Sequence, residues 1–178
     1  MTEKMQTELV EAAVAGDINS FGRLARRYYA SMVAIAYAIL ADHQLAEDAA
    51  QEAFARALTS LRKLRNPDKF APWLAQICRN IAKDMVAAKA GPMNPRDLFP
   101  DPDSSRPNDD VHVVRRAIEK LSVSAREVIV LRYYNGLSYE EIASVLGISK
   151  PTINGRLTRA KQKIAKYLKR DGFLENRL

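Results

Sequence analysis

The residue types that carry covalent chemistry are few in this chain and badly spaced for it. Its single cysteine, Cys78, has no second thiol with which to form a disulfide or a thiolate cage, and its two histidines, His43 and His112, lie far apart. Neither a disulfide framework nor a zinc site is expected, which fits a reducing compartment, the cytoplasm. No GxGxxG or GxxxxGK[ST] run is present to cradle a phosphate. No paired carboxylates and no nucleophile–base set stand out, so no catalytic residue, no metal and no cofactor are expected. What the sequence does offer is cations at helical spacing. Near the C-terminus, Arg156 and Arg159 share a helix with Lys150, Thr152 and Asn154. Arginine can read guanine through two parallel donors, and lysine mostly neutralises phosphate. The chemistry on offer is recognition of a polyanion.

The charge is distributed accordingly. The whole chain of 178 residues carries a formal +7, but residues 111–178 hold 14 basic and 6 acidic side chains, a net +8. A small unit with that excess attracts polyanions, nucleic acid first among them. No apolar run approaches the about 18–20 residues that cross a bilayer, and the N-terminus MTEKMQTELVEAA lacks the apolar core of a secretory signal, so no membrane insertion is expected.

The elements that must position those cations are helices. Residues 91–110, GPMNPRDLFPDPDSSRPNDD, contain five of the eight prolines and a net negative charge, and read as an extended linker. The linker divides the chain into a helical unit over 1–90 and a second over 111–178. In the first unit, apolar residues recur at Leu9, Ala13 and Val14, then at Phe21, Leu24, Ala25 and Tyr28. The run Met32 to Leu40 is short enough for a strand, but its alanines and its helical flanks favour a buried helix. After Asp42 a stripe of Ala46, Ala49, Ala50, Ala53, Phe54, Ala57, Leu58 and Leu61 leaves Asp48, Glu52, Ala55, Arg56 and Thr59 on the wet face. A basic loop with an Asn-Pro turn follows. Pro72 then sits where a helix begins, with Trp73, Leu74, Ile77, Ile81 and Met85 on its buried side.

Three helix starts stand in series in the second unit. Ser124 with Glu127 and Ser138 with Glu141 have capping-box spacing, and Ser149-Lys150-Pro151 pairs a serine cap with a first-turn proline. Gly147 is a natural left-handed stop between the last two. The result is a helix-turn-helix in which Ile142, Ala143, Leu146 and Ile148 face Ile153, Leu157, Ala160, Ile164 and Leu168. Opposite that stripe lie Pro151, Thr152, Gly155, Thr158 and Arg159, with Arg156 on the flank, placed to face a major groove. Ser138 and the amides of the helix starts are candidate phosphate anchors. The fold class expected is all-α, two small helical domains joined by an acidic Pro-rich linker, the second a helix-turn-helix.

The segment VRRAIEKLSVSAREVIVLRYYNGLSYEEIASVLGISKPTINGRLTRAKQKI resembles the promoter-reading C-terminal domain of bacterial sigma factors, and the two-unit layout resembles their extracytoplasmic-function (ECF) group. AEDAAQEAFARAL, Ala46 to Leu58, is similar to the helix with which such factors grip the polymerase clamp. FAPWLAQICRNIAKD, Phe70 to Asp84, is similar to their helix for melting and reading the −10 element. The resemblance implies that Asp48, Gln51, Glu52 and Phe54 contact core RNA polymerase, whose clamp helices and flap are the expected partners. It implies that the loop with Arg65, Asn66, Asp68 and Lys69 captures a flipped base, and that Trp73, Arg79, Asn80 and Lys83 line the path of the −10 strand. It places Lys150, Thr152, Asn154, Arg156 and Arg159 at the −35 element. Promoter DNA and an anti-sigma factor complete the expected partners. The chain departs from the family at Ala71-Pro72, where a basic or polar pair is usual, at MVAAKA after Asp84, where arginines are usual, and at Gly155, where serine is common.

Two other functions fit parts of this pattern. A dimeric helix-turn-helix regulator would bind an operator without polymerase, but leaves the first unit's helices unexplained. A sigma-like module that only titrates an anti-sigma factor would have no need of Arg156 and Arg159.

Overall fold

The structure is a computed structural model that describes residues 3–89 and 109–170. Among them every regular element is helical. The first half comprises α1 (Glu3–Val14), α2 (Ile18–Leu40), α3 (His43–Ser60) and α4 (Phe70–Lys89); the second comprises α5 (Asp109–Glu119), α6 (Val123–Ile129), α7 (Tyr139–Leu146) and α8 (Lys150–Arg170). Two short 3₁₀ turns, Leu61–Lys63 and Pro67–Lys69, lead into α4, and a π-helical turn, Val130–Tyr134, extends α6. The expected linker over 91–110 lies outside the described residues, except that Asp109 and Asp110 already belong to α5.

Local sequence fixes most of the helix ends. Gly16 takes a positive φ of 107°, and Asp17 behind it caps α2 by accepting from the Asn19 amide. Asp42 caps α3 by accepting from the Leu45 amide. The alanine-rich run Met32 to Leu40 is helical, as its flanks predict, and closes α2 around the buried Met32, Ile35 and Ala36. Such small side chains let α2, α3 and α4 approach closely, with Ala46, Ala49, Ala50, Ala53 and Ala57 of α3 wholly buried. Phe70, Leu74, Ala75, Cys78, Ile81 and Ala82 form the inward side of α4. In the second half α8 rests on α5, α6 and α7 through Ile153, Leu157 and Ala160.

The two halves do not stand apart. Helix α7 lies against α4, while α6 and the π turn lie against α2, and the buried side chains of both halves form one continuous cluster. Where α7 ends, Gly147 meets Pro72: a Cβ on Gly147 would sit 2.9 Å from the proline Cβ. That residue is therefore glycine for two reasons, its φ of 67° at the end of α7 and the neighbour it faces.

Candidate functional site

The helix-turn-helix takes the form the spacing predicts. The Ser138 hydroxyl accepts from the Glu141 amide at 3.2 Å, and the Glu141 carboxylate accepts from the Ser138 amide at 2.8 Å. The Ser138 amide first, and the Ser138 hydroxyl after it, hold the Glu141 carboxyl below the usual range. Gly147 ends α7 and Ser149 starts α8, its hydroxyl accepting from the Thr152 amide at 3.4 Å and lying 2.8 Å from the Thr152 hydroxyl. On α8, Lys150, Pro151, Thr152, Asn154, Thr158 and Arg159 are exposed, and Gly155 and Arg156 are half-buried. The Arg159 guanidinium leans back over Gly155, with Nη2 3.9 Å from where a Cβ on that glycine would be. The Lys150 ammonium is held by the Glu140 carboxylate, and this contact depresses the Glu140 pKa. Lys150 thus reaches a phosphate only by exchanging one anion for another.

Helices α3 and α4 enclose a second candidate site. Asp48, Glu52 and Arg56 of α3 and Ile81, Asp84, Met85 and Ala88 of α4 line an open groove, with an apolar floor and acidic rims. Arg56 donates to Glu52 at 2.7 Å, and Asp48, Glu52 and Asp84 of the groove are all exposed. Gln51 is exposed beside it. Phe54 is not part of this surface: it is 9 % exposed and stacks on Tyr29 with ring centroids 6.3 Å apart. The expectation that it contacts a partner is corrected, since the apolar stripe of α3 claims it for the core. Asp84 and Met85, read from sequence only as a motif position and a buried position, gain a place in the groove, since α4 turns them toward α3.

The −10 candidates fall into two groups. The loop is shaped by Asn66, whose side-chain oxygen accepts from the Asp68 amide at 2.9 Å, and by Asp68, which accepts from the Thr7 hydroxyl at 2.7 Å. Arg65 and Lys69 project from it, exposed. Along α4, Lys83 is exposed, Asn80 accepts from Gln76 at 2.8 Å, and Trp73 is half-buried against Phe70 with ring centroids 6.1 Å apart. Arg79 is different. Its Nε donates to Glu127 Oε1 at 2.6 Å and its Nη2 to Oε2 at 3.4 Å, across the two halves, with Arg79 17 % and Glu127 4 % exposed. In this arrangement the guanidinium is not open to a strand, contrary to expectation, because α6 brings a carboxylate onto it. The capping box expected from Ser124 to Glu127 is absent for the same reason: α6 starts after Ser122, and Glu127 spends its carboxylate on α4. Beside the pair, burial pushes the Cys78 thiol up to about 12.

Membership of a family follows from comparison with known proteins. Residues 24–91 match the family description Sigma-70 region 2, and residues 112–164 match Sigma-70, region 4. The chain is 34 % identical to the probable RNA polymerase sigma factor RfaY of Xanthomonas campestris over 88 % of its own length, spanning 42 % of that relative. It is 30 % identical to the ECF RNA polymerase sigma factor SigM of Mycobacterium tuberculosis, with 93 % of this chain and 86 % of the relative covered. Its fold is similar to that of the sigma factor RpoE solved in complex with the anti-sigma factor NepR from Bartonella quintana, with a TM-score of 0.57, 25 % identity, and 84 % and 96 % of the two chains covered. The two matched regions stand in the order, and on the helices, where the groove and the open reading helix lie. The chain belongs to the sigma-70 family of RNA polymerase sigma factors, in its ECF group.

Proposed function

We propose that this sigma factor grips core RNA polymerase through the groove between α3 and α4, reads the −35 element with α8 and takes the −10 strand along the loop and outer face of α4. The single observation that carries the reading is the pairing of two surfaces on one chain: an acidic groove with an apolar floor, and a basic helix whose outer face is open. Asp48, Glu52 and Asp84 suit a basic helical partner such as a clamp helix, with Gln51 beside them. Thr152, Asn154, Arg156 and Arg159 suit base edges, and Ser138, Lys150 and the amides of Pro151's turn suit phosphates. Arg65, Asn66, Asp68 and Lys69 would receive an extruded base. Trp73, Arg79, Asn80 and Lys83 would guide the strand by stacking and charge. The factor does no bond chemistry; polymerase does, in the cytoplasm where both reside. The second half would also meet the polymerase flap. Each contact is weak alone, and the linker raises the effective concentration of the second once the first has formed. A fold neighbour solved with an anti-sigma factor supports the proposal that this chain too is held by such a partner.

Transcription in vitro with purified core polymerase tests the reading. The wild-type chain is expected to confer start-site choice. Asp48→Arg with Glu52→Arg should lower holoenzyme formation about a hundredfold or more, since like charges then face the partner in a desolvated contact, while helix content is unchanged. Unaltered assembly by that variant would remove the groove from the polymerase interface. A palindromic footprint made by the chain alone would instead favour the operator-binding regulator.

A further inference from the structure

We propose that Arg79 and Glu127 form a latch that keeps the two halves closed, in which Glu127 stands in for a phosphate of the DNA strand. The inference rests on the proposed assignment of Arg79 to that strand. A guanidinium presents the same fork of donors to a carboxylate and to a phosphate, and here two of its nitrogens go to the two Glu127 oxygens at 2.6 and 3.4 Å. The rest of the contact is apolar packing of α6, α7 and the π turn on α2 and α4, with a few polar links that carry no paired charge. Asn135 Nδ2 donates to the Ala30 carbonyl at 3.2 Å and Arg115 Nη2 to the Ala41 carbonyl at 3.4 Å, while Gly147 fits against Pro72. Pro72 and Arg79, seven residues apart, share one side of α4, and the second half lies on it, so among the strand candidates it covers Arg79 and leaves Asn80 and Lys83 exposed. The α3–α4 groove and the outer face of α8 remain open in the same arrangement. A closed chain is therefore ready for polymerase and for −35 duplex before its Arg79 is free for the −10 strand.

The physical basis of the latch is the desolvation of both charges. Take one away and the other is left buried without compensation, a penalty that can be relieved if the halves separate and rehydrate it without either half unfolding. A strand phosphate offered to Arg79 does the same work from outside, and it shifts the balance by its differential affinity for the open form. Opening leaves Glu127 exposed to water, where a carboxylate is at ease, so the cost of the exchange on the protein side is the apolar surface of α2, α4, α6 and α7 that separation uncovers.

The test uses the full chain with fluorophores on thiols introduced at Ala55→Cys in α3 and Gln162→Cys in α8, both exposed positions away from the contact. Cys78 is buried and stays unlabelled in the native protein. Single-molecule energy transfer then reads the closed-to-open ratio. Glu127→Gln and Arg79→Gln should each lower that ratio about tenfold or more, with far-UV circular dichroism unchanged. The swap Arg79→Glu with Glu127→Arg should restore most of it. Should both single variants keep the wild-type ratio, the latch is refuted; should one unfold, the swap and the other variant decide. A fluorescent single-stranded oligonucleotide supplies the second measurement. Glu127→Gln should tighten its binding by the same factor by which it opens the chain, and the swap should bind no better than wild type. Opening without tighter binding would refute Arg79's assignment to the strand and Glu127's role as a phosphate substitute, while leaving the latch itself supported.

Discussion

Helices α4 and α8 are nearly equal in length, 20 and 21 residues, and both are proposed to meet DNA, yet they are built in opposite ways. Helix α4 is enclosed by α2 and α3 within its own half and by α7 from the other, and it buries Phe70, Ala71, Leu74, Ala75, Cys78, Ile81 and Ala82. Helix α8 rests on its neighbours with Ile153, Leu157 and Ala160 and keeps its other sides in water. A helix packed on several sides has no continuous reading face left, so α4 is left with a strip of polar side chains and the loop before it. That suits a single strand, whose bases can be brought to the protein. A helix free on one side can enter a groove whole, which suits duplex.

The comparison is sharpened most by attacking the core beneath α8. Leu157→Ala should cost about 2–5 kcal/mol, as buried leucines usually do. Because the buried side chains of both halves are continuous, the loss should lower the unfolding midpoint read by Trp73 fluorescence in α4 as well as the one read by far-UV circular dichroism. If Trp73 kept its midpoint while half of the helical signal melted early, α8 would belong to a separate module and the contrast between the helices would be one of independent domains.

A smaller effect is expected on the open face itself. Arg156→Ala and Arg159→Ala should each weaken binding of holoenzyme to a −35 duplex by about 1–3 kcal/mol, and relax sequence preference at one position apiece. A loss of equal size on every sequence, with a shallower salt dependence, would assign the guanidinium to the backbone instead. Arg156 is half-buried and Arg159 exposed, so truncating Arg156 should in addition cost some packing, visible as a lower melting temperature without DNA.

How far the sequence carries these conclusions depends on the range of the interaction. The Ser138–Glu141 box, the Gly147 stop, the Asp42 and Ser149 caps and the inward Leu74 and Ile81 of α4 all depend on residues within about a turn of one another, and all are legible. So was the outward direction of Asp48 and Glu52. Trp73, Ile77 and Met85, expected on the same buried side of α4 as Leu74 and Ile81, are only half-buried. Glu127 was misread because its spacing from Ser124 imitates a local cap, whereas its partner Arg79 is on another helix in the other half and leaves no periodic trace. The π turn at Val130–Tyr134 was equally hidden, since no local residue type announces it. Phe54 shows the reverse failure: its apolar stripe placed it in the core, and the family resemblance alone placed it on the surface.

Two glycines bring the comparison down to single methyl groups. Gly147, between the halves, has a positive φ and a Cβ position blocked by Pro72 at 2.9 Å, so alanine is doubly disfavoured there. Gly155, on the reading side of α8, has neither constraint: an added Cβ would meet only Arg159 Nη2, at 3.9 Å. Within a helix, glycine gives up about 0.5–1 kcal/mol relative to alanine, so Gly155→Ala should raise stability by that amount in a denaturant titration. On the proposed reading face a glycine lets the backbone come closer to the groove than any other residue. The same variant should therefore bind the −35 duplex less tightly in holoenzyme while melting at a higher temperature. Binding that survived the substitution intact would take Gly155 off the reading face and leave recognition to the flank that carries Arg156.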